Sequence, residues 1–252
     1  METANSDFIR TEFNRFLQTE SERRASEPVY EESEDEMQKF VTLFRNIGTV
    51  YTGQADGRTF EIDSDNEQAV RVLIAYQLGW EKSFRESYTK AKGLNKSNLF
   101  NPIMLIGDRG VGKTLLLKIA SRFASITGRV SRFFIQTSAS ELLNHYRVHG
   151  NIDRYTYNIE AAGVHGKPLN LCFNDLGVEK DEKSNVYGTS VTSVVRDFLL
   201  ARYEIDQNLG ALCHITTNLS PQEIGKLYPE RVADRLRQYN IIPIVGETRR
   251  RN

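Results

Sequence analysis

The second half of the chain alternates between short apolar runs and amphipathic stretches. Apolar residues recur at helical spacing from 114 to 127 and again from 191 to 199. Five apolar runs predict β-strands at 103–106, 131–136, 169–173, 211–216 and 241–245. Strands that alternate with helices are typical of an α/β fold with a mostly parallel five-stranded sheet covered on both faces. Ligands of such sheets bind at the carboxyl ends of the strands.

The first 95 residues show a different, mainly helical pattern. Apolar side chains at helical spacing predict a helix over 7–24 and a second one that ends near Gly48. They also predict a third helix, capped by Asp65, that runs past Trp80 or breaks near Gly79. The apolar stripe of the second helix consists of Met37, Phe40, Val41 and Phe44. Six acidic residues in 27–36 predict a solvated linker, and β-prone residues around Asp56 and Gly57 predict a hairpin over 49–62. The capping sequence at Ser220 to Glu223, with proline at 221, predicts another helix start.

Composition places the chain among ordinary globular proteins. Of its 252 residues, 39% are hydrophobic and 26% are charged. No apolar run is long enough to cross a bilayer, and the first ten residues lack a signal-peptide pattern. Cys172 and Cys213 both lie inside apolar runs, so we expect buried free thiols rather than a disulfide. These features favour a cytoplasmic protein.

Charge is divided unevenly, although the formal net charge is zero. Residues 1–95 carry 18 acidic and 12 basic side chains, whereas residues 96–252 carry 15 acidic and 21 basic ones. The pattern predicts two regions: an acidic N-terminal region at 1–95 that binds a protein partner, and a basic domain at 96–252 that binds polyanions. The alternative is that both are ordinary solvated surfaces.

The segment 107–114, GDRGVGKT, fits the phosphate-binding pattern G-x-x-x-x-G-K-[ST]. Glycines allow consecutive backbone N–H groups to point at phosphates, and the following helix adds the positive end of its dipole. We expect Lys113 to reach the β- and γ-phosphates of ATP, and the Thr114 hydroxyl to ligate Mg²⁺. The residues expected to contact the nucleotide are Gly107, Asp108, Arg109, Gly110, Val111, Gly112, Lys113, Thr114 and Leu115.

Polar residues after two other strands complete the candidate site. Asn174 and Asp175 end the third apolar run, where a P-loop enzyme needs an acidic group beside the metal. Asn218 follows the fourth run, and its amide is suited to hold the attacking water or sense the γ-phosphate. Arg231 and Arg235 lie four residues apart on a predicted helix, so either one could serve a neighbouring subunit as an arginine finger. The alternative is a solvated helix whose charges pair with one another.

These motifs together resemble the AAA+ ATPases of the DnaC/IstB group, over residues 97–250. The resemblance rests on GDRGVGKT, LCFNDLG, ITTNLS, PERVADRL and GETRR, in this order. It implies Walker A at 107–114, Walker B at Asn174 and Asp175, and sensor 1 at Asn218. It also implies a trans-acting finger at Arg231 or Arg235, and a nucleotide-facing arginine at Arg250. Proteins of this group act as ATP-dependent oligomers; the helicase loaders among them bind single-stranded DNA and a replicative helicase.

The chain departs from the group at Asn174, where an acid is usual. Either Asn174 serves the metal shell and Asp175 polarises the water, or Asp175 serves the metal and no good base remains. Both alternatives predict slow ATP hydrolysis, which suits a nucleotide switch.

The leading hypothesis is therefore a helicase loader in DNA replication, whose Arg122, Arg129 and Arg132 contact DNA phosphates or are plain surface. A transposition ATPase that activates a transposase on duplex DNA is the first alternative. A P-loop kinase acting on a small molecule is the second; it would use the same loop at 107–114 but would have no need of Asn218 or the paired arginines. An adaptor that binds ATP without turnover is the third.

Overall fold

A computed structural model describes residues 26–159, 167–178, 185–186 and 189–249 of the chain. Its centre is a five-stranded sheet in which every neighbouring pair is parallel. The strands are β1 (Ile103–Ile106), β2 (Ile135–Ser138), β3 (Leu171–Leu176), β6 (Cys213–Thr217) and β7 (Asn240–Pro243), in the order β2-β3-β6-β1-β7. Asn185–Val186 (β4) and Thr189–Ser190 (β5) form a short antiparallel pair. The predicted α/β fold with a parallel five-stranded sheet is confirmed.

Helices connect the strands and cover the sheet. They are α1 (Glu34–Asp56), α2 (Glu67–Leu78), α3 (Glu81–Lys90), α4 (Lys113–Ile126), α5 (Ala139–His149), α6 (Val191–Leu209), α7 (Pro221–Leu227) and α8 (Glu230–Leu236). Short 3₁₀ turns lie at Val130–Arg132 and Asp153–Tyr155. The predicted capping box at Ser220 is present: its hydroxyl accepts from the Glu223 N–H, and the Glu223 carboxylate accepts from the Ser220 N–H.

Alternate residues of the strands belong to two hydrophobic clusters, one on each face of the sheet. Ile103 and Leu105 pack with α1, α2, α3 and α4, whereas Met104 and Ile106 pack with residues of α5, α6, α7 and α8. Period-two alternation is what a strand buried on both faces requires. The helices of residues 34–90 therefore share one core with the sheet.

Four expectations for residues 27–66 are wrong. Glu27 is buried rather than solvated, and α1 begins at Glu34 and continues through Gly48 to Asp56. The expected hairpin is absent because residues 49–56 are helical and Gly57, at φ 73°, caps the helix. Asn66, not Asp65, occupies the N-cap position of α2, which ends before Gly79 as one of the two alternatives predicted. The predicted helix at 7–24 lies outside the described residues.

The second strand also starts later than the sequence suggests. Residues 130–132 form a 3₁₀ turn, and β2 begins only at Ile135. The Asn170 amide donates to the carbonyls of Ser131 and Phe133, so a side chain satisfies groups that a strand would pair with a neighbouring backbone. β3 extends beyond its predicted end at residue 173 to Leu176. Both cysteines are buried and free, as expected.

No helix in the described ranges is long and apolar enough to cross a membrane.

Candidate nucleotide-binding site

The glycine-rich loop lies between the carboxyl end of β1 and the first turn of α4. Gly110 and Gly112 have φ of 88° and 97°, a region that a side chain strongly disfavours. Gly107 is required by packing, because a Cβ atom there would lie 2.1 Å from the Ile244 carbonyl oxygen. The backbone thus takes the curled path that the glycine spacing predicts, and it ends at a helix N-terminus, where the dipole favours an anion.

Lys113 joins this loop to the end of β6. Its side chain is buried, and its Nζ donates to the carbonyl oxygens of Gly107 and Asp108, each at 2.7 Å. The same Nζ donates to Oδ1 of Asn218, also at 2.7 Å. The structure therefore brings together two residues that lie 105 positions apart and that the sequence predicts for one site.

A β-bulge sets the position of Asp175. Phe173 pairs with Ile215 and Leu176 with Thr217, so β3 contains one residue more than β6 over this interval. Asp175 takes a left-handed conformation, with φ of 58°, and its N–H donates to the Thr216 hydroxyl at 3.0 Å. Left-handed backbone is uncommon for a residue other than glycine, and bulges often redirect side chains beside active sites. The Asp175 carboxylate is half-buried and has no hydrogen bond within the described ranges.

Asn174 is directed into the sheet instead. Its Nδ2 donates to Gln136 Oε1 at 2.7 Å and to the Thr137 carbonyl at 3.1 Å, while its Oδ1 accepts from the Thr216 hydroxyl at 3.3 Å. The side chain is buried, and it links the ends of β2, β3 and β6. Both polar atoms of the Asn174 side chain are thus engaged within the sheet.

The two candidate finger arginines have different surroundings. Arg235 is half-buried, and its guanidinium lies 4.1 Å from the centre of the Tyr203 ring on α6. Arg231 is exposed, and its nearest acidic partner in the described ranges is Glu204, at 3.9 Å. Arg231 thus lies at the surface, whereas Arg235 packs against Tyr203. Arg250 lies outside the described residues.

The remaining loop residues divide by exposure. Asp108, Arg109 and Thr114 are exposed, Leu115 is half-buried, and Val111 is buried in the core cluster beneath the loop.

The three arginines considered for DNA contacts also differ. Arg122 is exposed. Arg129 lies 3.5 Å from the buried Glu27 carboxylate, and Arg132 donates to the Leu99 carbonyl and covers the Tyr76 ring. Arg129 and Arg132 thus hold parts of the chain together, which the sequence did not indicate.

Residues 245–249 cross the glycine-rich loop, another contact that the sequence did not reveal. The Arg249 N–H donates to the Gly110 carbonyl at 2.9 Å, and Arg58 Nη1 donates to the Arg249 carbonyl at 2.9 Å. The Arg249 side chain pairs with Asp63 at 2.9 Å and lies 3.9 Å from Asp65. The Arg249 guanidinium lowers the pKa of Asp63 below its usual value. No motif spacing links these positions, since Asp63 and Arg249 are 186 residues apart.

The donor set of the site fits a magnesium nucleotide. A curled loop with one buried lysine and a helix N-terminus matches a polyphosphate, and a hydroxyl at Thr114 with a carboxylate at Asp175 matches the oxygen ligands that Mg²⁺ prefers. These groups and Asn218 lie at the carboxyl ends of β1, β3 and β6, which are neighbours in the sheet.

Comparison with known proteins finds similar backbone folds but no similar sequence. No protein-family model and no curated protein matches the sequence. Among solved structures, the DnaC helicase loader is 16% identical, with a TM-score of 0.48, over 74% of this chain and 93% of that one. AMPPCP-bound DnaA from Aquifex aeolicus is 18% identical, with a TM-score of 0.45, over 75% of this chain. DnaA bound to AMPPCP and single-stranded DNA is 19% identical, also with a TM-score of 0.45, over 75% of this chain. The chain spans about half the length of these two DnaA structures.

Proposed function

We propose that the protein is an ATP-binding switch of the AAA+ type that hydrolyses ATP slowly and acts in DNA replication as a helicase loader. The observation that carries the proposal is the convergence of Lys113, Asn218 and Asp175 at the carboxyl ends of β1, β6 and β3. A loop with no function in phosphate binding would not require a buried lysine whose ammonium donates to two carbonyls of the loop itself, because burying a charge is costly.

Each side chain of the site has its own role in binding the magnesium nucleotide. The Lys113 ammonium leaves the carbonyls of Gly107 and Asp108 to neutralise phosphate charge, and Asn218, which it releases, is free to bind the γ-phosphate or a water. Thr114 and Asp175 hold Mg²⁺, which when bound offsets the charge of the phosphates. Since Asn174 is engaged inside the sheet, Asp175 has no second carboxylate beside it on β3 to act as a base.

Slow hydrolysis follows, because activation of the attacking water is left to an amide, that of Asn218. Arg231 completes the site of an adjacent copy in the ATP-bound assembly, where a cation beside the γ-phosphate accelerates turnover. A protein of this kind stays in its ATP state until assembly or a partner supplies the missing group. That behaviour suits a switch that delivers another protein to DNA.

The division into an N-terminal region at 1–95 and an ATPase domain at 96–252 belongs to the same proposal, as a division of function, because α1, α2 and α3 share one hydrophobic core with the sheet. We assign the acidic N-terminal region to the replicative helicase and the basic domain to single-stranded DNA. Arg122 is the one of the three basic candidates that the structure leaves exposed, so it is the candidate for a phosphate contact. Cytoplasmic localisation is part of the proposal as well.

The test combines assembly with partner identity. We expect the full chain to form a larger species by size-exclusion chromatography when both ATP–Mg²⁺ and a single-stranded oligonucleotide are present, with affinity for DNA that falls steeply as salt rises. Arg231→Ala should bind ATP but lose DNA-dependent turnover, whereas Arg237→Ala, on an exposed neighbouring position, should not. A replicative helicase that copurifies in an ATP-dependent way supports the proposal.

Other results would point elsewhere. A transposase as partner, together with a preference for duplex DNA, would identify a transposition ATPase. Absence of ATP-driven assembly, with phosphate transfer to a small molecule, would identify a kinase.

A further inference from the structure

Three separate parts of the chain meet at residue 249. The glycine-rich loop contributes Gly110, the connection between α1 and α2 contributes Arg58, Asp63 and Asp65, and the segment 245–249 lies between them. The loop and the connection are therefore joined through a segment that belongs to neither.

The packing at this junction leaves no room for side chains on two glycines. A Cβ atom on Gly110 would lie 2.1 Å from Oγ1 of Thr248, and one on Gly246 would lie 2.7 Å from Oδ2 of Asp65. Both glycines also have positive φ, of 88° and 136°. The 245–249 segment consequently fits closely against the loop on one side and against the α1–α2 connection on the other.

The bond from the Arg249 N–H to the Gly110 carbonyl has a geometric consequence for phosphate binding. In a planar trans peptide, the carbonyl of one residue and the N–H of the next point in opposite directions. A Gly110 carbonyl held towards Arg249 therefore directs the Val111 N–H away from the 245–249 segment. A donor fixed in advance costs less to order when an anion arrives.

We propose that Arg249 is a positioning residue for the P-loop: its ion pair with Asp63 keeps the 245–249 segment against Gly110 and so presets the affinity for the nucleotide. The inference rests on the proposed function, because it assumes that residues 107–114 bind ATP. Arg249 acts through Gly110 and need not touch the nucleotide. The same pair makes the loop sensitive to displacements of the α1–α2 connection, which lies in the region assigned to partner binding.

The experiment measures ATP–Mg²⁺ affinity by calorimetry on the full chain and on four variants. They are Arg249→Gln, Asp63→Asn, the double variant of these two, and the charge exchange Arg249→Asp with Asp63→Arg. Arg237→Gln is the matched control, because it removes an exposed arginine whose acidic partner, Asp234, lies at 3.6 Å on α8. Melting temperatures identify any variant that fails to fold.

We expect each single variant to bind ATP about tenfold more weakly and the control to match the wild type. The double variant should be no weaker than either single one, because both remove the same pair. The charge exchange should recover part of the loss, which a general destabilisation would not. Single variants that bind within about twofold of the wild type, or losses that multiply in the double variant, would overturn the proposal.

Amide hydrogen exchange over 107–112 without nucleotide provides a second measurement. Faster exchange in folded Arg249→Gln than in the wild type is expected, and equal exchange would refute the positioning role. A wild type that binds no ATP would sink the proposed function, while the exchange measurement would still decide whether Arg249 holds the loop. A wild type that binds ATP with unaffected variants would sink only this inference.

Discussion

Replacing Asn174 by aspartate introduces the acid that the resemblance implies at this position and, by motif alone, should speed hydrolysis. The structure predicts a less stable protein instead. The Asn174 amide donates to Gln136 Oε1 at 2.7 Å and to the Thr137 carbonyl at 3.1 Å, and a carboxylate cannot donate to either. The substitution would therefore bury a negative charge against the Thr137 carbonyl oxygen, although the Gln136 amide can rotate and turn its buried Nε2 towards the carboxylate.

The size of the effect follows from the Thr137 carbonyl, which loses its donor, and from the buried charge. Leaving a buried polar group without its partner costs about 1–3 kcal/mol, and burial of the carboxylate adds to this cost. We expect a decrease of about 3 kcal/mol in the free energy of unfolding, or about 6–12 °C in melting temperature for a chain of this size. A buried aspartate has a raised pKa, so the folded state takes up protons more readily than the unfolded one, and the deficit should shrink as the pH falls.

Differential scanning calorimetry at about pH 8 and pH 5, with ATP turnover measured on the same samples, tests this prediction. Asn144→Asp, an exposed position on α5, is the control with the same chemical change. Asn174→Asp that melts within about 2 °C of the wild type at pH 8, with faster turnover, would refute the reasoning. It would mean that Asn174 faces the nucleotide rather than the sheet.

Three further predictions concern the site and the core. Asp175→Asn should retain ATP binding but lose at least about tenfold in turnover, as followed by phosphate release; unchanged turnover would remove Asp175 from the site. Arg231→Ala should lower turnover without changing the melting temperature, whereas Arg235→Ala should lower the melting temperature because it uncovers Tyr203; the reverse pattern would exchange their roles. Burial lowers the pKa of His214 to about 3, so the folded state loses stability relative to the unfolded state as the pH falls below 6.5. Burial raises the pKa of Asp206 to about 6, so the folded state gains stability as the pH falls through that value. Because the two effects oppose, Asp206→Asn should steepen the loss of stability between about pH 7 and pH 5 in denaturant titrations, and an unchanged slope would contradict these assignments.

The sequence predicted the sheet and its helices well because burial on two faces leaves a strong pattern. It misplaced the end of α1 because Gly48 looked like a helix stop. In the structure, Gly48 instead makes room for the Phe60 ring, whose nearest atom would lie 2.4 Å from an added Cβ. That requirement arises from residues that pack only in the folded chain, so local propensity could not reveal it.

In the candidate site, too, some features could be predicted from the sequence and others depend on packing in the folded chain. The loop at 107–114 and the strand ends with Asp175 and Asn218 were predictable, because spacing and strand position define them. The bulge that turns Asp175 was not, since it depends on how β3 aligns with β6. Neither was the contact of Arg249 with Gly110, which unites distant segments without any pattern in the intervening sequence.

Calorimetric titration of the purified chain with ATP in the presence of Mg²⁺ tests the central claim most directly. The account predicts one site per chain, with binding weakened at least about a hundredfold in Lys113→Ala, provided that the variant remains folded. Failure of the wild type to bind ATP, or equal binding by folded Lys113→Ala, would contradict it.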